Sequence, residues 1–473
     1  MPSTKIVATL GPSTDQPPYL RRMFDAGVDV FRLNTSHGTW EDHLARIAAV
    51  RETAAELSVH AGILLDLQGP KIRLGRFEGG RCDLEQGAIF TITTEPLLGT
   101  SSLASTSYTH FAKDVRPGDP VLLADGSIEL KALSTDAVSV RCEVVTGGPL
   151  GDHKGINLPG VELSTSSLTR KDMEDLQHGL QAGIDFVALS FVRKPSDLLR
   201  LKLFLEEHGA SLPVIAKIEK PEGWKNLEEI LDESDGVMVA RGDLGVEMAL
   251  EKVPFIQKHI IERARAKGKF VITATQMLES MIEHPSPTRA EVSDVANAIC
   301  DGTDAVMLSA ETASGKYPGK AVRMMTRIAD ETESWLRPQG FREPLPPLTP
   351  SNAEIIADAA YRAARSAGVA AIVVYTSSGA SARLISRLRP PVPIYAFTQS
   401  ESIARQLAIS FGVTPIIAPD VKSTDQMLLQ MEQRLVAAGL LKPNDNVVFV
   451  SGQPIGRSGS TNLVKLHRLG ESN

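Results

Sequence analysis

The sequence predicts an α/β protein: a closed (β/α)8 TIM barrel, an inserted small all-β barrel domain and a C-terminal three-layer α/β domain. Three observations predict it. Eight short apolar runs between residues 4 and 310 alternate with amphipathic helical stretches, which is the pattern of parallel βα units. A segment rich in turn dipeptides breaks that alternation after the third run. A proline-dense stretch then precedes a second alternating series, and 473 residues are too many for one compact core.

The eight runs are Lys5–Leu10, Val28–Leu33, Gly62–Leu67, Phe186–Phe191, Val214–Ile218, Gly236–Ala240, Phe270–Ala274 and Ala305–Leu308. Helical stretches between them include Glu41–Leu57, Leu168–Ala182, Glu251–Lys267 and Pro318–Trp335. Eight strands each followed by a helix favour a closed barrel over an open doubly wound sheet. The expected barrel covers residues 1–70 and 166–340. The insert, residues 71–165, carries the turns Arg116-Pro-Gly-Asp119 and Ala124-Asp-Gly-Ser127 between short alternating runs such as Pro120–Leu123 and Ala137–Val145. Placed after the third strand, it lies over the C-terminal mouth of the barrel, where it can act as a lid. Prolines 338, 344, 346, 347 and 350 mark a stiff linker, and Ser351-Asn-Ala-Glu354 is a capping box. The third unit, 350–473, has strands at Ala371–Tyr375, Pro393–Phe397, Pro415–Ala418 and Asn446–Val450.

The bulk numbers exclude several classes. A net charge of −7 argues against a nucleic-acid coat. Cys82, Cys142 and Cys300 are far apart and in no metal-ligand spacing, so neither a disulfide framework nor a zinc site is expected. No apolar run reaches the roughly 18 residues of a membrane helix. The N-terminus reads as a first strand rather than a signal peptide. A cytoplasmic protein fits these features, with no membrane partner.

The chemistry gathers at the predicted strand ends. Residues two apart on a strand face the same way, so Lys217 and Glu219 project together from the fifth strand. Asp243 follows the sixth. Two carboxylates, with substrate and water oxygens, make a site for Mg²⁺ or Mn²⁺, and a neighbouring lysine can stabilise a developing oxyanion. Arg32 offers a planar fork for phosphate, and Asn34 and Ser36 add oxygens. Asp66, Lys71 and Arg73 reach the rim from the third strand, Thr275 from the seventh, and Ser309 with Glu311 from the eighth. Each strand end alone reads as an ordinary ion pair or loop. Their convergence on one mouth points instead to metal-assisted phosphoryl transfer. A metal-dependent lyase on the same barrel would share the carboxylates but not the nucleotide-side residues.

The ordered motifs Thr4-Lys-Ile-Val-Ala-Thr-Leu-Gly-Pro12, Asn34-Thr-Ser-His-Gly38, Asp66-Leu-Gln-Gly-Pro-Lys-Ile-Arg73, Lys154-Gly-Ile-Asn-Leu-Pro-Gly160, Ala216-Lys-Ile-Glu219, Met238-Val-Ala-Arg-Gly-Asp-Leu-Gly-Val-Glu247, Ala274-Thr-Gln-Met-Leu-Glu-Ser-Met281 and Met307-Leu-Ser-Ala-Glu-Thr312 resemble the pyruvate kinase family along nearly the whole chain. The resemblance implies the glycolytic transfer of a phosphoryl group from phosphoenolpyruvate to ADP, giving pyruvate and ATP. It implies Glu219 and Asp243 as divalent-metal ligands and Lys217 as the group neutralising the phosphoryl and the enolate. Gly242, Asp243 and Thr275 would hold the substrate carboxylate, and Arg32 and Arg73 phosphate oxygens. Asn34, Thr35, Ser36, His37, Arg73 and Lys154 would line the nucleotide side. The proton delivered to carbon comes from Thr275, Ser309 or water, and the sequence does not choose.

Two departures or additions matter. Many members carry Thr-Lys-Gly-Pro-Glu where this chain has Leu67-Gln-Gly-Pro-Lys71. The glutamate version resembles enzymes needing K⁺, held near Asn34, Ser36, Asp66 and the residue at position 67. An ammonium at Lys71 can replace that cation, so activity is expected not to require K⁺. In the third unit, Thr376, Ser377, Ser378, Gly379 and Ser381 resemble the family's effector loop, where a sugar phosphate or AMP binds, with Ser451–Pro454 and Arg457–Thr461 closing over it. The family also implies a homotetramer.

Overall fold

The computed structural model describes residues 2–341, 343–344, 349–366, 368–418, 421, 423–454 and 459–471. Eight parallel strands close into a barrel in chain order: β1 Lys5–Thr9, β2 Val30–Asn34, β3 Gly62–Asp66, β4 Phe186–Leu189, β5 Val214–Ile218, β6 Gly236–Ala240, β7 Phe270–Ala274 and β8 Ala305–Leu308. β1 pairs with both β2 and β8, which completes the ring. These strands are buried on both faces, as parallel strands under a coat of helices must be, and that is why they read as unbroken apolar runs.

Alternation decides what reaches the mouth. Val30, Leu64, Ile215 and Met238 belong to the cluster filling the barrel interior, while Ile63, Val214, Ala216 and Val237 pack outward against the helices. Stepping by two from the inward set gives Arg32 and Asn34 on β2, Asp66 on β3, and Lys217 on β5 with Glu219 just beyond it. Asn34 and Asp66 are register partners on neighbouring strands. The polar residues therefore form the top layer of a packed barrel whose lower layers are apolar.

The insert is a six-stranded sheet plus a two-stranded ribbon, Gly148–Gly151 with Arg81–Leu84, wrapped around one apolar core. Ladder pairing does not run all the way round it. Isolated bridges at Arg73–Gly155, Leu74–Thr106 and Phe77–Gly99 span the gap, so the small barrel is only partly closed. Tyr108 Oη bonds Asp114, and that carboxylate accepts the Ser164 N–H at 2.8 Å, tying the returning chain to the insert's body.

The third unit opens with helix Asn352–Ala364, begun by the Ser351–Glu354 capping box. Its sheet orders β9 Val369–Tyr375, β10 Ile394–Thr398, β11 Val413–Ile417, β12 Asn446–Gly452 and β13 Thr461–Arg468 as β11-β10-β9-β12-β13. β13, antiparallel to β12, is an edge strand that the sequence reading missed. The unit sits beneath the barrel. Ala408 and Ile409 join the interior cluster, and the buried Arg389 guanidinium reaches Asp304 at 2.8 Å and the Gly302 carbonyl at 2.7 Å. Of the expected linker, residues 342 and 345–348 lie outside the described residues. No helix among the described residues is long and apolar enough to cross a membrane.

Candidate active site

Lys217 is the hub. Its Nζ donates to Ser190 Oγ at 2.7 Å and pairs with Glu219 Oε1 at 2.9 Å and Asp66 Oδ1 at 3.1 Å. Burial alone would pull the ammonium down, but Asp66 and Glu219 push it well above its usual value, so Lys217 stays charged. Burial likewise opposes charge on Asp66, yet Lys217 and Arg32 hold this carboxyl below its usual range. Arg32 Nε donates to Asp66 Oδ2 at 2.7 Å and Nη1 to Thr9 Oγ1 at 3.0 Å.

Glu219 behaves differently. Burial and the like charge of Asp243 push it up, against the pull of Lys217. Its second oxygen accepts the Phe191 N–H at 2.7 Å. Phe191 adopts a left-handed backbone, φ 55°, to aim that N–H. Thr275 and Gln276 are also left-handed, φ 68° and 53°, and for a β-branched threonine this is real strain. Arg241 holds the strained turn. It donates to the carbonyls of Ala274 and Thr275 at 3.3 and 2.7 Å and pairs with Asp294 at 2.7 Å. The Thr275 hydroxyl donates to the Ala274 carbonyl at 2.6 Å and accepts the Gly242 N–H at 2.7 Å. Neither Arg241 nor Ser190 was singled out from sequence.

Two cavities meet at this mouth. The smaller, about 80 Å³, is lined by Arg32, Asn34, Ser36, Asp66, Leu67, Lys71, Lys217, Glu219, Asp243 and Thr275 among others. The larger, about 310 Å³, lies between insert and barrel, where Lys71, Arg73, Lys154 and Lys220 face one another across it with Asp243. Lys71, Phe191 and Asp243 form a wall common to both. Lys71 is carried by a tight turn in which Gly69 has φ 68° and a Cβ there would meet Phe191 at 2.9 Å. His37 reaches solvent. Partial burial and the cations Lys71, Arg73 and Arg32 hold its imidazole below its usual value.

Some expected residues are placed elsewhere. Thr35 is buried, and its hydroxyl donates to the Asp66 carbonyl at 3.2 Å rather than facing a cavity. Ser309 lines neither cavity; its N–H donates to Glu311, which also accepts the Leu278 N–H and so splices the loops after β7 and β8. In the third unit Thr376, Ser377, Ser378 and Ser381 line a pocket with Gly452, Gly459, Ser460 and Thr461. Gly379, φ 79°, accepts no Cβ without meeting Arg383, and its N–H donates to Thr376 Oγ1 at 3.0 Å. Arg457 and Ser458 lie outside the described residues.

What the barrel and its mouth define is a class, the (β/α)8-barrel phosphotransferases. Residues 1–322 match the family described as "Pyruvate kinase, barrel domain", and residues 354–467 match "Pyruvate kinase, alpha/beta domain". The chain belongs to the pyruvate kinase family. The pyruvate kinase of Corynebacterium glutamicum is 44% identical over 468 residues, covering 99% of this chain and 98% of that protein. The pyruvate kinase of Mycobacterium tuberculosis is 45% identical over 469 residues, with the same coverage. The crystal structure of a pyruvate kinase from Cryptosporidium parvum superposes with a TM-score of 0.91 at 36% identity, over 99% of this chain and 96% of that one.

Proposed function

We propose that this chain transfers the phosphoryl group of phosphoenolpyruvate to ADP, with uptake of a proton, giving pyruvate and ATP in glycolysis. The observation that carries the reading is the common wall. A small cavity in which Arg32, Lys71 and Lys217 stand beside the carboxylates Asp66, Glu219 and Asp243, suited with a divalent cation to a phosphorylated three-carbon acid, opens onto a larger lysine- and arginine-lined cleft suited to a nucleoside diphosphate, through Lys71, Phe191 and Asp243. Donor and acceptor phosphates are thereby brought to one place, which is most of what phosphoryl transfer asks of a protein.

In this reading the smaller cavity takes phosphoenolpyruvate. Arg32, fixed by Asp66 and Thr9, turns its remaining N–H groups to a phosphoryl oxygen. Lys217 faces the bridging oxygen and holds the enolate as the phosphoryl leaves; its three partners keep it charged and in place. The Asp243 N–H, at the start of helix Arg241–Glu247, takes the carboxylate beside Thr275, and the Gly242 N–H, bonded to Thr275 Oγ1 at 2.7 Å, fixes that hydroxyl. Of the two expected hydroxyls, Thr275 lines the cavity and Ser309 does not, so Thr275 is assigned the proton path to carbon. Arg73 and Lys154, which line the larger cleft, serve the nucleotide; Asn34 and Ser36 line the smaller cavity instead, and His37 lines neither.

Glu219 and Asp243 fit a divalent cation, Mg²⁺ or Mn²⁺. Both line the smaller cavity, and a dication offsets the burial and the like charge of Asp243 that push Glu219 up. Among the described residues no three His, Cys, Asp or Glu side chains assemble a metal site, so substrate and water oxygens complete the shell. When bound, the cation supplies Lewis-acid neutralisation of substrate oxygens. Lys71 lines the smaller cavity together with Asn34, Ser36, Asp66 and Leu67, which supports K⁺-independent activity. The Thr376–Ser381 pocket supports activation by a sugar phosphate or AMP. A cytoplasmic homotetramer is the state the family implies.

A coupled assay tests the reaction. Pyruvate should form only when phosphoenolpyruvate, ADP and Mg²⁺ are all present. Pyruvate released without ADP would make the protein a lyase or phosphatase instead.

A further inference from the structure

Helix Arg241–Glu247 begins at Asp243's turn and ends on Glu247, whose side chain is 1% exposed. Glu247 Oε1 takes two donors: the buried Lys220 ammonium, and Asn157 Nδ2 at 3.0 Å. Asn157 belongs to the insert, on the strand Ile156–Asn157. Lys220 directly follows Glu219. Glu247 lies four residues after Asp243, on the same helical face. Glu219 and Asp243 thus each have a near neighbour along the chain in one buried contact that also includes the insert. A second observation places the insert on the same helix: a Cβ at Gly126, in the Ala124–Ser127 turn, would meet Val246 Cγ1 at 3.6 Å.

We propose that Asn157, Glu247 and Lys220 form a latch through which docking of the insert positions Glu219 and Asp243. The proposal rests on the reading of the insert as a lid over the nucleotide cleft. Lys220 and Glu247 both belong to the barrel, so their pair exists whether or not the insert is docked. Asn157 adds the insert's hydrogen bond to an acceptor already held in place. Because the helix is one rigid turn between Asp243 and Glu247, where Glu247 is held fixes where Asp243 stands. Among the described residues Glu247 Oε2 is buried without a partner. Both donors therefore converge on a single oxygen, and losing one is not made good by the other. Asn157 is a positioning residue: it touches no reacting atom, and acts through Glu247.

The test uses the full-length protein. Asn157→Leu keeps the volume and removes the donor. It should raise the Mg²⁺ concentration giving half-maximal activity, and lower kcat/KM for ADP, each about tenfold, the scale of one hydrogen bond to a charged acceptor. In the substrate-free protein it should also speed hydrogen exchange over residues 155–163. Because Glu247→Leu would strand a buried ammonium, it is paired with Lys220→Met. Adding Asn157→Leu to that double variant should cause no further loss. Unchanged exchange and ADP kinetics in Asn157→Leu, or additive losses in the triple variant, would overturn the latch. If wild type makes no pyruvate, the functional reading fails, and the exchange measurement alone then decides the latch.

Discussion

The Lys217 ammonium and the Glu219 carboxylate, two residues apart along one strand line, meet at 2.9 Å inside the barrel mouth. A surface pair of this kind would matter little. Here both side chains are at most 10% exposed, and each has a second obligation: Lys217 to Asp66, and Glu219 to the Phe191 N–H. The geometry holds a lysine charged, while burial and the like charge of Asp243 push the Glu219 carboxyl up.

Metal dependence should follow Glu219. Glu219→Gln keeps the shape and removes one negative charge, so the Mg²⁺ concentration giving half-maximal activity should rise at least about tenfold. Titration of Mn²⁺ followed by its electron paramagnetic resonance signal, with phosphoenolpyruvate present, checks this without turnover. Equal Mn²⁺ affinity in the two proteins would remove Glu219 from the ligand set.

Acid sensitivity should follow Asp66. Its folded pKa lies below its ordinary 3.8, so it contributes stability that is fully present above that pH and lost as pH falls through the lower folded value. Asp66→Asn leaves Arg32 and Lys217 without their shared anion and should cost about 3 kcal/mol at neutral pH. Urea unfolding of both proteins should show the difference shrinking below pH 3.8. A gap independent of pH would mean that packing, not charge, is what Asp66 supplies.

Potassium dependence should follow Lys71. Turnover in tetramethylammonium buffer should change by no more than about twofold on adding KCl, whereas Lys71→Glu should become strongly K⁺-activated. Activation of the natural protein by about tenfold or more would show that the ammonium does not take the cation's place.

Regulation should follow the Thr376 loop. A sugar monophosphate or AMP should lower the half-saturation for phosphoenolpyruvate, and Thr376→Ala, which removes the hydroxyl accepting the Gly379 N–H, should abolish that response while leaving unregulated turnover within about twofold. An intact response in the variant would move the effector site elsewhere.

Much of this was legible in the sequence because parallel barrel strands are buried on both faces and read as short apolar blocks. The period of two then carries inward-facing Val30, Leu64 and Ile215 up to Arg32, Asp66 and Lys217. Spacing gives a residue's place on the rim but not its rotation, which is why Thr35 turned into the protein and Ser309 lines neither cavity. Arg241 and Phe191 were missed because they act through a loop conformation and a backbone N–H, neither of which leaves a pattern in residue types. The strand Thr461–Arg468 was missed because an edge strand alternates polar and apolar residues after a glycine- and serine-rich stretch. Asn157 and Glu247, ninety residues apart, have no local signal linking them.

The central claim is that Lys217 carries the phosphoryl transfer from its three-partner setting. Steady-state turnover of phosphoenolpyruvate with ADP in Lys217→Met, beside a near-ultraviolet circular dichroism spectrum to confirm the fold, tests it most directly. The expected result is a loss in kcat of at least about 10²–10³-fold with the spectrum unchanged. Turnover equal to wild type in a folded Lys217→Met protein would contradict it.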